Sequence, residues 1–265
     1  MKRLCLILVF SLLLASCTPT ASQETPSENE GAYCLAYTPQ GQVVYDAHWT
    51  GEYPQIEKFD GDYKTATFAL GCFWGPAAHF AVLDGVLRTR VGYTGGTGTT
   101  PSYENLGNHI EVIEIDYDPA FLTYEDLVTL YFTYYDATVR AYSQRVKSVI
   151  FYRDDEEQSI ANNLKKEFSQ SQGKPIFTEI DPLDVFYLAE DRHQLSYLKK
   201  ETSLYDEVSQ IFTTPDKQIL SILASKLNGY IAGYGKSKDL TVLLQNSGLS
   251  DASQNRMRAI VDREN

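Results

Sequence analysis

The sequence predicts an α+β fold: a mixed or antiparallel sheet covered by helices, with a helical C-terminal extension. Three observations point there. β-Prone runs at 65–70, 86–93, 110–117, 148–152 and 175–180 are interleaved with helical patterns. Turn signals such as Asp84-Gly85 separate them. After Ser203 the strand signals stop, and helix candidates follow at 217–227, 238–245 and 252–261. Such alternation builds layered domains in which helices cover a sheet.

The elements follow in order. Residues 65–70 form an apolar run that ends at Gly71, and 76–83 read as a helix opened by Pro76, a residue tolerated in a first helical turn. A strand at 86–93 leads into a Gly/Thr/Ser-rich loop over 95–107. Residues 110–117 alternate apolar and acidic, as a half-buried strand does. Thr123 is a candidate N-cap for a helix running to about Tyr135. An amphipathic helix is expected over 155–170 and a short one over 189–199. The C-terminal region reads either as a small helical appendage or as a helical layer on the main domain.

The N-terminus carries a targeting signal. Lys2-Arg3 precede an apolar run over 4–14, too short to span a bilayer comfortably. Leu14-Ala15-Ser16-Cys17 resembles a bacterial lipobox, with cleavage after Ser16 and lipid on Cys17; the alternative is an ordinary secretory signal. The expected organisation is a signal peptide at 1–16, a Ser/Thr/Pro/Glu-rich tether at 17–32 and an N-terminal extension at 33–63. A catalytic domain at 64–203 and the helical extension at 204–265 complete it. The expected location is the cell envelope, lipid-anchored and outside the cytoplasm, on the outer membrane or periplasmic side if the cell has two membranes.

A formal charge of −12 argues against nucleic acid as a partner. Of four cysteines, Cys5 leaves with the leader and Cys17 takes the lipid, so Cys34 and Cys72 remain as thiols. There is no Cys-x-x-Cys pair, and the four histidines are scattered, which disfavours a structural metal site.

The most informative residues are Gly71-Cys72-Phe73-Trp74-Gly75. They place a thiol at a strand-to-helix turn beside two large aromatics. Free N–H groups and the helix dipole favour a thiolate there, and the aromatic pair can wall a small apolar pocket. Cys72 can also be read as an inert buried thiol, but its setting favours redox or nucleophilic chemistry. His109 and His193 read as structural hydrogen-bonders.

These residues resemble the class A peptide-methionine sulfoxide reductases, which act on the S epimer of methionine sulfoxide. Further blocks carry the resemblance in order: Val91-Gly92-Tyr93-Thr94-Gly95-Gly96, Pro101-Ser102-Tyr103-Glu104, His109-Ile110-Glu111-Val112, Tyr117-Asp118-Pro119, and Phe186-Tyr187 with Ala189-Glu190-Asp191 and His193-Gln194. The resemblance implies Cys72 as nucleophile, Phe73 and Trp74 as the cradle of the methionine methyl group, and Glu111 with Tyr103 at the sulfoxide oxygen. It also implies oxidised proteins as substrates and an external, thioredoxin-like dithiol reductant in place of a bound cofactor. A monomer is expected.

The chain departs from the family pattern twice. Tyr142-Ser143-Gln144-Arg145-Val146 stands where the family carries an aspartate and a second tyrosine, and Tyr142 is the candidate to replace that hydroxyl. No cysteine follows Cys72, so Cys34 is the one intramolecular candidate for the resolving thiol; otherwise an external thiol reduces Cys72 directly. The altered loop leaves a second reading open: a weakly active or inactive homologue that binds methionine-rich or oxidised peptides.

Overall fold

The computed structural model describes residues 54–98 and 100–264. Cys17, Cys34, the leader, the tether and most of the N-terminal extension lie outside the described residues. Those described all fall within one compact unit.

Six strands make one sheet: β1 (Lys64–Leu70), β2 (Val86–Thr94), β3 (Ile110–Tyr117), β4 (Ser148–Tyr152), β5 (Glu179–Pro182) and β6 (Tyr187–Leu188). Their spatial order is β5-β4-β1-β3-β2-β6. Only the β4–β5 pair is parallel, so the sheet is mixed. The main layer over it is α1 (Trp74–Ala81), α2 (Tyr124–Tyr134) and α3 (Asp155–Gln172). Phe68, Ile113, Ile115, Val91 and Ile150 meet Phe80, Leu127 and Tyr131 there in a dry core. Thr123 caps α2 as expected, in a reciprocal pair with Asp126.

Strand β3 is not half-buried: all eight of its residues are buried. Glu114 and Asp116 do face away from α1 and α2, but they meet arginines instead of water. Register places Arg88 opposite Asp116 and Arg90 opposite Glu114. Arg88 Nε bonds Asp116 at 2.8 Å, and Arg90 bridges Asp116 at 2.8 Å and Glu114 at 2.7 Å. Burial works against the Asp116 charge, yet Arg90 and Arg88 hold its pKa down at about 2.

Two other expectations shift. The fifth strand begins at Glu179, because Phe177 donates its N–H to Ala137 O, off the sheet. The helix expected over 189–199 is two 3₁₀ turns, Asp191–His193 and Leu198–Lys200. Between them, Gln194 uses its side-chain amide as a surrogate strand residue. It accepts from Val91 N–H at 3.0 Å and donates to Val91 O at 2.8 Å.

The C-terminal region is a helical layer packed on the sheet domain. It comprises α4 (Thr202–Ile211), α5 (Pro215–Leu220), α6 (Ile222–Ile231), α7 (Ser237–Gln245) and α8 (Asp251–Glu264). Leu204, Val208, Leu227, Leu244 and Met257 form its own core. The expected helix at 217–227 is broken at Ser221, whose hydroxyl caps α6 through Ala224 N–H at 2.9 Å. Glu57 reinforces the break by accepting from Ile222 N–H at 2.9 Å and Leu223 N–H at 2.7 Å. Helix α6 lies so close to α1 that a Cβ on Gly229 would stand 2.4 Å from Ala78 O.

Candidate active site

Strand β1 delivers the chain to a turn at Gly71, whose φ of +82° is a conformation that suits glycine. Cys72 follows on this turn, exposed to solvent. Phe73 then serves as the N-cap of α1, and the first helical bond runs from Ala77 N–H to Phe73 O at 3.1 Å. The helix starts two residues earlier than Pro76 suggested. Pro76 loses nothing there, because the first N–H groups of a helix have no partner within it.

One of these free N–H groups finds Glu111. Phe73 N–H donates to Glu111 Oε2 at 3.2 Å across 38 residues of sequence. Glu111 stands on the α1 face of β3 and is buried to 2% exposure. Burial pushes its pKa up; the Phe73 N–H and the Arg145 guanidinium pull the other way without cancelling it.

The thiol was expected to be acidified by the helix N-terminus. The Trp74 N–H does act in that direction, but the net shift is upward. Solvent touches Cys72, yet protein atoms crowd its sulfur, and this desolvation is the main cause; the Glu111 carboxylate adds to it. A charged Glu111 therefore disfavours the Cys72 thiolate.

The walls are aromatic, and His193 is their hub. Its ring lies 4.5 Å from Tyr103, 5.4 Å from Phe73 and 5.9 Å from Trp74, centre to centre. Burial lowers the His193 pKa, so at neutral pH it is an uncharged packing surface. Glu190 ties the walls together: it accepts from Tyr103 N–H at 2.8 Å and from the Tyr93 hydroxyl at 2.7 Å. Phe73 also packs on Tyr93 at 6.0 Å.

Of the residues the sequence singled out, Cys72, Phe73, Trp74, Tyr103 and Glu111 come together here. Tyr142 does not. It is 90% exposed and lines a separate surface cleft with Val139, Gln144 and Phe177. From the same loop it is Arg145 that reaches the site. Its Nη1 lies 3.9 Å from Glu111 Oε1, its Nη2 donates to Tyr103 O at 2.9 Å, and its guanidinium stacks 4.4 Å from the Tyr103 ring centre. Sequence reasoning located the altered loop but chose the wrong side chain, because it sought a hydroxyl to replace a hydroxyl. Lys200, 5.7 Å from the Trp74 ring centre, was also missed.

Among the described residues, one exposed thiol, a buried carboxyl whose pKa is raised and a cleft walled by aromatic rings fit a cysteine-based oxidoreductase for a small oxidised group. Comparison with known proteins gives the family. The family model described as peptide methionine sulfoxide reductase matches residues 64–221. The chain is 36% identical to the peptide methionine sulfoxide reductase of Drosophila melanogaster over 188 residues, covering 70% of this chain and 75% of that protein. It is 39% identical to MsrA of Methanothermobacter thermautotrophicus over 150 residues, covering 52% of this chain and 88% of the other. Reduced Mxr1 of Saccharomyces cerevisiae matches in structure with a TM-score of 0.49 at 27% identity, over 58% of this chain and 91% of that one. A structure of the same yeast protein in complex with Trx2 matches with a TM-score of 0.38 over 54% of this chain and 89% of that one. The chain belongs to the peptide methionine sulfoxide reductase family and is an oxidoreductase with methionine sulfoxide reductase activity.

Proposed function

We propose that this chain reduces the S epimer of methionine sulfoxide in oxidised envelope proteins, and the free amino acid as a second substrate, through a sulfenic acid on Cys72. The Cys72 thiolate attacks the sulfoxide sulfur while Glu111 gives a proton to the oxygen. The attack forms a sulfur–sulfur bond in a transient adduct; this bond and the S–O bond of the substrate then break as the oxygen, with its proton, bonds to the Cys72 sulfur, so methionine leaves and Cys72–SOH remains. The substrate sulfur gains the two electrons that the cysteine sulfur loses. Phe73 and Trp74 hold the methyl group, and Tyr103 with Arg145 flanks the oxygen. A thiol then attacks the sulfenic sulfur, releasing water and leaving a disulfide, which a thioredoxin-like dithiol protein reduces. The proposed resolving thiol is Cys34. The proposed setting is a monomer anchored through lipid on Cys17.

The observation that carries this reading is the hydrogen bond from Phe73 N–H to Glu111 at 3.2 Å, which locks the only protonatable carboxyl described beside Cys72 to the residue next to the nucleophile. The test is turnover of each sulfoxide epimer with a dithiol protein as reductant. Reduction of the S epimer alone, lost in Cys72→Ser, is expected. Reduction of the R epimer, or activity surviving Cys72→Ser, would reject the mechanism. Cys34→Ser with unchanged turnover under that reductant would remove Cys34 from it.

A further inference from the structure

The C-terminal helical layer reaches the catalytic turn through Tyr234. Helix α6 ends in a Schellman motif: Gly233 N–H bonds Tyr230 O at 3.0 Å and Tyr234 N–H bonds Gly229 O at 3.2 Å. Gly233 takes φ +84°, the left-handed conformation that this cap needs. The motif usually rests its last residue on the helix residue five positions back. Here that residue is Gly229, which has no side chain and lies against α1. The Tyr234 ring therefore turns outward, on to the catalytic turn.

There it completes a cluster of phenols. Tyr234 Oη is 3.2 Å from Tyr134 Oη. A Cβ on Gly75, inside the Cys72 motif, would stand 3.3 Å from the Tyr134 hydroxyl and 3.6 Å from that of Tyr234. Both rings grip His79 of α1, stacked at 4.0 Å by Tyr134 and edge-on at 5.0 Å by Tyr234. Tyr197 lies within electrostatic range of both Tyr234 and Cys72. Tyr234 remains 37% exposed beside Gly75, and its hydroxyl faces that of Tyr134. It also lies beyond residue 221, where the family match ends.

We propose that Tyr234 is a specificity-determining residue, which with Tyr134 hydrogen-bonds the main-chain amides flanking a methionine sulfoxide and so favours polypeptide over the free amino acid. Two phenols sharing one hydrogen bond have a donor and acceptor capacity to spare, and an amide group offers both partners. The free amino acid carries no amide on either side, so bonds to those flanking groups are absent with it. The inference rests on the reaction proposed above and adds its substrate class.

The test compares kcat/KM of the full chain for an unstructured pentapeptide carrying one central methionine-(S)-sulfoxide and for free methionine-(S)-sulfoxide. Tyr234→Phe keeps the ring and removes the hydroxyl. The ratio of the two kcat/KM values is expected to fall about three- to tenfold, as the loss of one neutral hydrogen bond allows, with the loss appearing in the peptide KM. Tyr234→Ala should lower the ratio at least as far. An unchanged ratio in Tyr234→Phe, or a loss confined to kcat for both substrates, would overturn the inference while leaving the reaction intact. A wild-type protein inert towards both substrates would overturn the reaction and this inference with it.

Discussion

Replacing Arg145 by methionine should move the acid limb of the kcat/KM profile to higher pH. In the proposed reaction the productive state of Cys72 and Glu111 holds one proton, and holds it on the carboxyl. Acidification puts a second proton on the pair and silences the thiol. The pKa of that limb is the lower of the pair's two macroscopic values and carries mainly Glu111 character. Arg145 lies 3.9 Å from Glu111 with its side chain 36% exposed. At that distance Coulomb's law gives about 1 kcal/mol at the dielectric of water and about 4 kcal/mol at an effective value of 20. A guanidinium this well solvated belongs near the lower figure. About 1 kcal/mol is a little under one pKa unit. Because the cation stabilises the carboxylate, its removal raises the Glu111 pKa, and the acid limb should rise by about one unit. The alkaline limb belongs to Cys72, on which Glu111 is the charge that acts, so it should stay. The assay is kcat/KM for a sulfoxide substrate across pH, since that parameter reports the free enzyme. Arg145→Lys, which keeps the charge, should restore much of the wild-type limb. An acid limb that stays put or moves down in Arg145→Met would refute the electrostatic assignment.

Three further outcomes are expected. Glu111→Gln still accepts from Phe73 N–H but has no acidic proton, so kcat/KM should drop by about 10²–10⁴ with folding intact by circular dichroism. Asp116→Ala takes a carboxylate from Arg88 and one of the two carboxylates that hold Arg90, and should lower stability by about 3–5 kcal/mol in urea unfolding. The Asp116 pKa, held at about 2, implies the matching pH dependence: its contribution is complete above about pH 4, the range of a free aspartate, and fades as pH falls towards 2. Tyr142→Ala, at a 90% exposed position outside the site, should change kcat/KM by less than about twofold, the scale of a neutral surface substitution.

The catalytic turn was legible because its physics is local. A strand, a glycine, a thiol and a helix start are contiguous in sequence, and the aromatic walls sit beside them. Most sheet and helix positions were legible for the same reason, through apolar periodicity. What failed depended on partners distant in the chain. Acidic β3 residues look solvent-bound until Arg88 and Arg90 are seen opposite them. Gln194 looks helical until Val91 takes its amide. Tyr234 carries no sequence signal of its own; only the packing of α6 on α1 brings it to Gly75 and His79. In the altered loop, a search by functional-group similarity selected Tyr142, whereas the fold selects Arg145 because its longer reach spans from a solvent-facing backbone to Glu111.

The arginine changes how the oxygen site must work. A cation beside the general acid opposes protonation of that acid, which by itself would weaken proton transfer. Burial of Glu111 acts more strongly in the opposite sense and leaves its pKa raised. In the proposed reaction the guanidinium would flank the S–O–H group while costing little of the acid's proton; it is held near Glu111 by Tyr103 O and the Tyr103 ring. A fixed cation stabilises negative charge on a polarised oxygen better than a phenol does, because charge-assisted hydrogen bonds are about twice as strong as neutral ones. It does so before the proton arrives and from the side of the residue that supplies it. In the proposed reaction, the loop that departs from the family pattern brings a charged hydrogen-bond donor to Glu111, and the burial of that acid is what keeps this compatible with proton donation.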